Sequence, residues 1–407
     1  MNAEPKINKK ITYGIVAVLL IVLVTIGATY AYFSAQAETD VQTVTTGTLT
    51  MGFETGDTLN LTGLTPIKDS EIKSKAAEIP FSVTNTGIEH MNITIKLKDI
   101  TIADDLKDVD FRWGLYNADT DKGISFGIFK YASNGGEEIL YRDSIIDAGS
   151  AAKNYVLRIW IHDDGAEQNY MQGETFSGKI EVTGTAIEYT DESCFVFDSN
   201  TGNIDGYDEA TCGTDVVIPR TIGGVAVTKL SVTNGGGHLG YKGLTSVIIP
   251  DSVTELGGVV FYGNNLTHIT VPESITSSVA EPFEGNPLTS IFIPEGIVDI
   301  GGLSMTGTLV MPQNVMSGLS SNVKDLVLME GVTSIYLGTV NESLTSIEIP
   351  RTVTSIADRA LSGKTNLEKI VVRGKTEAEA KSTFGENWNC KILTDTCEEY
   401  RNVEYRP

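Results

Sequence analysis

Short aliphatic runs recur at a fixed spacing along the second half of the chain. Four segments begin with Leu-Thr and end with an aliphatic residue and proline: 244–250, 266–272, 288–294 and 344–350. The first three prolines are 22 residues apart. A unit of this length cannot bury its own apolar edge, so the repeat predicts a solenoid whose stacked units share one core. Weaker copies occur at 216–219, 309–312, 326–328 and 370–372.

The alternation inside one unit assigns its faces. Successive side chains of a strand point to opposite sides. Val247 and Ile249 therefore face one side, which we predict to be the core, while Ser246 and Ile248 face the other. The outward positions of all units then line up in columns.

These outward columns form a candidate binding face. One column is mostly polar and its neighbour mostly apolar, and a contiguous exposed apolar strip on a monomer indicates recognition of a partner. The alternative is that β-branched residues simply favour strands, and that a neighbouring domain or chain covers them. The candidate face consists of Ser246, Ile248, His268, Thr270, Ser290, Phe292, Val310, Val327, Ser346 and Glu348.

The first half of the chain shows a different pattern. Between residues 40 and 188, short runs alternate apolar and polar residues and are separated by polar turns, as at 79–87, 91–97, 155–161 and 176–182. Several such runs predict an antiparallel β-sandwich. The whole chain is therefore expected to be mainly β.

The repeated Leu-Thr-Ser-Val-x-Ile-Pro sequence resembles the BspA-type leucine-rich repeats of bacterial surface proteins, over about residues 194–388. The resemblance implies leucine-rich repeats at 216–388, a linker and N-terminal cap at 189–215, and a C-terminal cap or tail at 389–407. Between 301 and 338 the spacing contracts and Met329 stands in place of proline. A distorted turn of the solenoid is expected there.

A second resemblance concerns the start of the chain. The stretches 27–34, 46–50, 83–87 and 178–182 resemble the signal and sandwich domain of the TasA/camelysin group. That group is exported through a SipW-type signal peptidase in Gram-positive bacteria. It includes matrix-fibre subunits and a protein described as a metallopeptidase. The resemblance implies a sandwich at 40–188 that could self-assemble.

An uncharged run indicates export. No charged residue occurs from 11 to 33, and Lys6, Lys9 and Lys10 precede this run. A helix of this length spans a bilayer of about 30 Å, and the positive flank keeps the N-terminus inside. Small residues stand at the spacing of a cleavage site at 29 and 31 and again at 35 and 37, which favours removal of 1–37 as a signal peptide. An uncleaved helix would instead anchor the protein in the membrane.

Charge and motifs argue against two function classes. A net charge of −23 opposes nucleic-acid binding, since phosphate contacts need clustered Lys and Arg. The four histidines, at 90, 162, 238 and 268, form no His-Glu-x-x-His pair, and the stretch 162–164 is expected to be a solvated loop rather than a metal site. The partial calcium pattern at 119–123 is better explained as a hairpin turn, and a hairpin explains the similar pattern at 198–202 equally well. We predict no enzyme, no metal site and no cofactor.

The cysteines stand at the two ends of the repeats. Cys194 and Cys212 bracket the proposed first cap, and Cys390 and Cys397 follow the last repeat. In an oxidising exterior we expect a local disulfide in each pair, although four cysteines allow three pairings and free or metal-bound thiols are the other possibility.

Two functions are compatible with these features. In the first, a non-enzymatic surface or secreted protein binds a protein or glycan through its repeats. In the second, the sandwich is a structural subunit of an extracellular fibre and the repeats are carried with it.

Overall fold

The computed structural model describes most of the chain from residue 59 onward. A leading segment contributes only the backbone of three strands, and the charge-free run lies outside the described residues. No helix in the described part is long and apolar enough to span a membrane. The described residues are 59–163, 165, 167–231, 239–278, 281–297, 303, 307–311, 323–335, 344–357, 360–362, 364, 366–393 and 397–406, with the backbone of 34–38, 42–46 and 49–55.

The first part of the chain, up to residue 186, is built from strands, with one short helix, α1 (Ile72–Lys75). Three 3₁₀ turns lie at Asp69–Glu71, Asp104–Leu106 and Asn169–Met171. The described strands are β1 (Ser34–Glu38), β2 (Gln42–Thr46), β3 (Leu49–Thr55), β4 (Leu59–Leu61), β5 (Pro66–Ile67), β6 (Ala77–Asn85), β7 (Met91–Ile102), β8 (Phe111–Asn117), β9 (Gly123–Ile128), β10 (Glu138–Ile146), β11 (Lys153–His162) and β12 (Phe176–Ala186).

These strands form two sheets, and we call this part the two-sheet region. One sheet has the order β1-β12-β7-β10, with β4 also on β12, and the other has the order β2-β3-β6-β11-β8-β9, with β5 on β11. Every described pair is antiparallel except β5 with β11. Alternate residues of β7, from Met91 to Leu97, are fully buried in a core shared with the second sheet. The alternation in the sequence therefore identifies the inward face.

The second part, from residue 192 to 406, we call the repeat region. It contains a 3₁₀ turn at Glu192–Cys194 and the helices α2 (Glu209–Cys212) and α3 (Glu377–Phe384). Its described strands are β13 (Phe195–Asp198), β14 (Asn203–Tyr207), β15 (Asp215–Val217), β16 (Thr221–Ile222), β17 (Val225–Ala226), β18 (Lys229–Leu230), β19 (Ser246–Ile248), β20 (Glu255–Leu256), β21 (His268–Thr270), β22 (Ser277–Ser278), β23 (Ser290–Phe292), β24 (Gly307–Met311), β25 (Val323–Leu328), β26 (Ser334–Ile335), β27 (Ser346–Ile349), β28 (Ser355–Ile356), β29 (Lys369–Arg373), β30 (Cys390–Leu393), β31 (Cys397–Tyr400) and β32 (Val403–Arg406).

Parallel pairing connects successive repeats. The ladders are β15-β19, β21-β23 and β24-β25-β27-β29-β32 on one side, and β14-β18-β20-β22 and β26-β28 on the return side. Thr270 pairs with Phe292, 22 positions later, but Leu309 pairs with Leu326, 17 positions later. The repeat is therefore shorter where the sequence spacing contracts. The prediction of a mainly β chain is confirmed.

Buried asparagines join neighbouring repeats. The side-chain amide of Asn264 donates to the carbonyl oxygens of Leu239 and Phe261, and its oxygen accepts from the backbone N–H of Leu244 at 3.0 Å. Asn286 makes equivalent bonds one repeat later. These side chains pair backbone groups that the turns leave without partners, which is the usual condition for burying them.

Each end of the repeat region carries a disulfide. Cys194 is joined to Cys212, with Cα atoms 6.1 Å apart, and Cys390 is joined to Cys397, with Cα atoms 5.8 Å apart. The core runs between them without interruption, from Cys194 to Trp388. The disulfides thus lie where the stack would otherwise expose its terminal apolar edges.

Candidate functional site at the junction of the two regions

The apolar outward column of the repeats lies against the two-sheet region. Ile248, Thr270, Phe292, Val327 and Val371 are only 3–7% exposed. We call this column the repeat strip; it consists of Ile248, Thr270, Phe292, Val310, Val327, Glu348 and Val371.

Strand β10 contacts the centre of the strip. The ring of Phe292 packs nearly perpendicular to that of Tyr141, with centroids 6.1 Å apart, and Phe292 belongs to the core of the two-sheet region. The hydroxyl of Thr270 donates to the carbonyl oxygen of Arg142 at 2.8 Å. Further along, Val310 packs against a small separate cluster that includes Trp160 and Met329. The centre of the junction is therefore mainly apolar.

The hairpin between β8 and β9 docks on the turns of the repeats. Asn117 donates through its side chain to Glu273 Oε1 at 2.7 Å. Gly123 and Glu295 exchange two bonds, because the Glu295 carboxylate accepts from the Gly123 N–H at 3.0 Å and the Gly123 carbonyl accepts from the Glu295 N–H at 2.8 Å. The carboxylate of Asp121 pairs with Arg158 at 2.7 Å. The segment 119–123 is thus a docking hairpin whose carboxylates already have protein partners.

A charged group closes the far end of the strip. His162, the last residue of β11, is 3% exposed. Its Nδ1 lies 2.8 Å from Asp69 Oδ1, and its Nε2 lies 3.2 Å from Glu348 Oε1 on the repeat strip. Arg373 donates to the Glu348 carboxylate and to the carbonyl oxygen of Asp163. The expectation of a solvated loop at 162–164 is wrong for His162, which ends β11 and is covered by the repeats. Asp163 is half-buried, and residue 164 lies outside the described residues.

Neighbouring charges set the ionisation of this group. Burial and Arg112 lower the pKa of His162, but Asp69 and Glu348 outweigh both, and the pKa lies above its usual value. Burial acts to raise the pKa of Glu348, but the positive charges of His162, Arg112 and Arg373 outweigh burial and lower the pKa to about 2. Asp69 behaves in the same way, and its pKa is well below the usual range. Imidazolium, carboxylates and guanidinium groups thus stabilise one another's charged forms.

Asp110 is the exception in this group. Its carboxylate is 3.3 Å from an Arg112 nitrogen and accepts from the Gln168 amide at 3.1 Å. Burial nevertheless raises its pKa to about 6, although Arg112 opposes the shift. Protonation of Asp110 in mildly acidic solution therefore relieves a desolvation cost.

The one described group of side chains with metal-ligand chemistry is Asp110, His162 and Glu348, whose ligand atoms lie within 4.8 Å of one another. A metal would need a deprotonated, unshared ring nitrogen from His162, whereas both ring nitrogens face carboxylates. The guanidinium groups of Arg112 and Arg373 already contact two of the three residues. These residues do not fit a metal site, because the side chains of Arg112 and Arg373 already neutralise the carboxylates.

The predicted binding face is covered in the structure. None of its ten residues is exposed, because the two-sheet region lies over the strip and the polar column beside it is half-buried. His268 illustrates the polar column: its Nε2 is 3.4 Å from Asp143 Oδ2, and burial lowers its pKa. The predicted face consists of Ser246, Ile248, His268, Thr270, Ser290, Phe292, Val310, Val327, Ser346 and Glu348.

Sequence reasoning identifies none of the residues that cover the strip, such as Asp69, Arg112 and Tyr141. One usable signal is present in β11. The outer face of residues 155–161 carries Val156 and Trp160 beside Arg158, and apolar residues on both faces of a strand indicate that it is covered on both sides. Trp160, 1% exposed on the outer face, is the clearest mark of this second layer.

Comparison with known proteins agrees with this division of the chain. Residues 239–317 and 310–398 match the family described as BspA type Leucine rich repeat region, in six copies. The repeats are thus similar to BspA-type leucine-rich repeats. Residues 6–111 match the family described as Camelysin metallo-endopeptidase, which covers the beginning of the two-sheet region. Both resemblances expected from the sequence are confirmed.

Two solved structures are similar over part of the chain. One is a leucine rich cell surface protein from Faecalibacterium prausnitzii A2-165, 22% identical, with a TM-score of 0.23, covering 49% of this chain and 62% of that one. This chain therefore spans less than two thirds of that structure's chain. The other is a leucine-rich repeat protein from Bacteroides ovatus ATCC 8483, 13% identical, with a TM-score of 0.25, covering 54% of this chain and 78% of that one. No curated protein matches the sequence.

Proposed function

We propose that this is a non-enzymatic bacterial protein, exported to the cell surface or beyond, that binds a protein or glycan through a solenoid of BspA-type leucine-rich repeats. The family match supports the type of repeat. The observation that carries the proposal is the repeat strip, which already holds a folded β region through an apolar centre and a charged margin. A surface with this composition is suited to bind a protein partner.

In this proposal the two-sheet region occupies the strip in a closed form and a partner replaces it in an open form. The closed form is held by Phe292 and Thr270 at the centre, by the β8–β9 hairpin on the repeat turns, and by ion pairs at the edge such as Lys130 with Asp325 at 2.7 Å. Contacts between regions of this kind resemble a transient protein interface, for which relative motion is expected.

The match to a metallo-endopeptidase family does not lead us to propose a peptidase. The described cluster of Asp110, His162 and Glu348 offers a single histidine and is neutralised by two arginines. A catalytic zinc in peptidases is held by two histidines and a carboxylate. Fibre assembly through the two-sheet region stays a prediction, since no described contact favours it.

The binding proposal can be tested with a pair of variants of the exported chain. Tyr141→Ala removes the aromatic contact between the two-sheet region and the repeat strip but leaves the strip intact. Phe292→Ala removes the same contact and also alters the strip. On arrays of purified surface proteins and glycans, we expect Tyr141→Ala to bind more strongly than the wild type. Phe292→Ala should not, because an aromatic group at the centre of an interface contributes about 2 kcal/mol or more.

Thermal unfolding of both variants shows whether each is folded, and Tyr400→Ala, at an exposed tyrosine far along the chain, is the matched surface control. Equal binding by Tyr141→Ala and Phe292→Ala would show that the ligand does not use the strip. The absence of any binding by the folded open variant, on both arrays, would contradict the proposed function.

A further inference from the structure

His162 is placed so that both nitrogens of its ring face carboxylates. Nδ1 lies 2.8 Å from Asp69 Oδ1 and Nε2 lies 3.2 Å from Glu348 Oε1. A neutral imidazole carries one N–H and one lone pair, whereas the imidazolium carries two N–H donors. Only the protonated ring can therefore donate to both carboxylates. After loss of the proton, one carboxylate faces a lone pair in a buried site.

The two carboxylates belong to different regions of the protein. Asp69 is held within the two-sheet region by Arg112 and by the indole N–H of Trp160 at 3.2 Å. Glu348 lies on β27 of the repeats and is held there by Arg373 from β29. The imidazolium thus joins an anchored carboxylate of one region to an anchored carboxylate of the other.

The remaining charges around the ring favour the same state. The acidic groups that face it are Asp69, Glu348 and, further away, Asp110, and the cationic groups are Arg112 and Arg373. With His162 protonated, three cationic groups face three carboxyl groups, and Asp110 can itself take up a proton. Without that proton the buried group carries excess negative charge, which is costly in a site of low dielectric constant.

We propose that His162 is a proton-dependent latch that holds the two-sheet region over the repeat strip, and that loss of its proton as the pH rises loosens this junction. The latch regulates access to the strip only if the strip is a binding face, so that consequence rests on the proposed function. The latch itself concerns two regions of one chain and is testable without any ligand.

The direction of the effect follows from linkage. The pKa of His162 is raised in the folded protein above its unfolded value. Its contribution to the junction is therefore fully present below about pH 6.5 and is lost as pH rises through the folded pKa. His268, also at the junction, has a lowered pKa and contributes with the opposite sign.

The test is hydrogen exchange of the exported chain between pH 6 and 9, expressed as protection factors corrected for the intrinsic exchange rate at each pH. Protection of β27 and β29 in the wild type should fall about tenfold or more across this range, the value of one charge-assisted hydrogen bond. Protection of β7 and β12, in the core of the two-sheet region, should stay constant and serves as the internal reference.

Two variants separate the latch from general stability. In His162→Gln, which does not titrate, β27 and β29 should be poorly protected at every pH. His268→Gln, at the other junction histidine, should keep the pH dependence of the wild type. A flat profile in the wild type, or an unchanged profile in His162→Gln, would overturn the proposal.

Should His162→Gln fail to fold, the wild type still decides the matter. Nitrogen NMR of histidine-labelled protein reports whether both ring nitrogens of His162 carry protons at pH 6, as the latch requires. A neutral ring at that pH would refute it. Neither measurement involves a ligand, so failure of the latch leaves the binding proposal standing, and failure of binding leaves the latch intact.

Discussion

Phe292 and Ile293 are neighbours in sequence but belong to different cores. Phe292 is 7% exposed and packs into the core of the two-sheet region, while Ile293 is 4% exposed and packs into the core of the repeats. Since a strand turns successive side chains to opposite faces, one short segment contributes to both. Substitutions at the two positions should therefore have different consequences.

We expect Ile293→Ala to lower the free energy of unfolding of the repeat region by about 2–5 kcal/mol, because it leaves a cavity in a closed core. Phe292→Ala should instead loosen the junction and speed hydrogen exchange in β10, where Tyr141 loses its partner. Chemical unfolding and exchange of the two variants check this. If exchange in β10 is unchanged in Phe292→Ala, the aromatic pair does not hold the regions together.

At the residue scale, the sequence predicts to which face of a strand a side chain points, but not which residues pack over it. The period of two correctly assigns Val247 and Ile249 to the repeat core. The groups that cover the other face come from distant positions. Arg142 accepts a hydrogen bond from Thr270, which is 128 residues later, and Asp69 accepts one from Glu330, which is 261 residues later. A periodic pattern within one segment contains no information about such partners.

At the scale of elements, turn chemistry explains the partial calcium pattern at 198–202. Asp198 accepts from the backbone N–H of Asn200 at 3.0 Å and from the Thr201 hydroxyl at 2.9 Å. Gly202 has a φ of 68°, and a Cβ there would lie 2.8 Å from the carbonyl oxygen of Ala226. The hairpin thus accounts for both the acidic residue and the glycine, which is one of the two explanations that the sequence leaves open.

The first strand bears on where an exported chain is cleaved. Strand β1 pairs along its whole length with β12, from Ser34 opposite Thr185 to Glu38 opposite Glu181. Cleavage after Ala31 leaves β1 complete, whereas cleavage after Ala37 removes all but its last residue. We therefore expect the mature chain to begin before Ser34, because otherwise residues 181–185 of β12 become an unpaired edge.

Mass spectrometry of the exported protein's N-terminus measures this directly. An Ala31→Arg substitution, which blocks a site requiring a small residue, should prevent processing, and Ala37→Arg should not. A mature terminus at residue 38 would show that β1 is dispensable for the first sheet.

At the scale of the whole molecule, the sequence predicts two β regions but not their closed arrangement. Repeat length, the two terminal cysteine pairs and the alternating runs are properties of local sequence. The junction depends on the fit between two finished surfaces and on buried ion pairs, whose contribution is a small difference between desolvation and attraction. Its pH dependence is consequently the most direct global measure of the buried charges.

We expect the stability of the wild type to be greatest in mildly acidic solution. The pKa of Glu348 is about 2 in the folded protein, below its unfolded value. The ionised carboxylate therefore stabilises the fold fully above about pH 4.5, and this stabilisation is lost as the pH falls toward 2. Asp110 has the opposite effect on stability, because burial raises its pKa to about 6 in the folded protein. Between about pH 4 and 6 the folded state keeps a proton on this carboxyl that the unfolded state releases. Stability should decline as pH rises from about 4 through 6, by an amount on the order of 1–3 kcal/mol.

Asp110→Asn isolates this effect, since the amide has nearly the same shape and can still accept from Gln168. It should reduce the decline between pH 4 and 6 in chemical unfolding curves and leave the part that comes from Glu138, whose pKa burial raises to about 7. Asp105→Asn, at an exposed aspartate of the same segment, should retain the whole decline. If Asp110→Asn follows the wild type throughout, the decline arises elsewhere and the buried carboxyl is already compensated by Arg112. If it instead destabilises the protein at every pH, the carboxylate is required as a partner of Arg112, and the charged form, not the protonated one, dominates in the folded state.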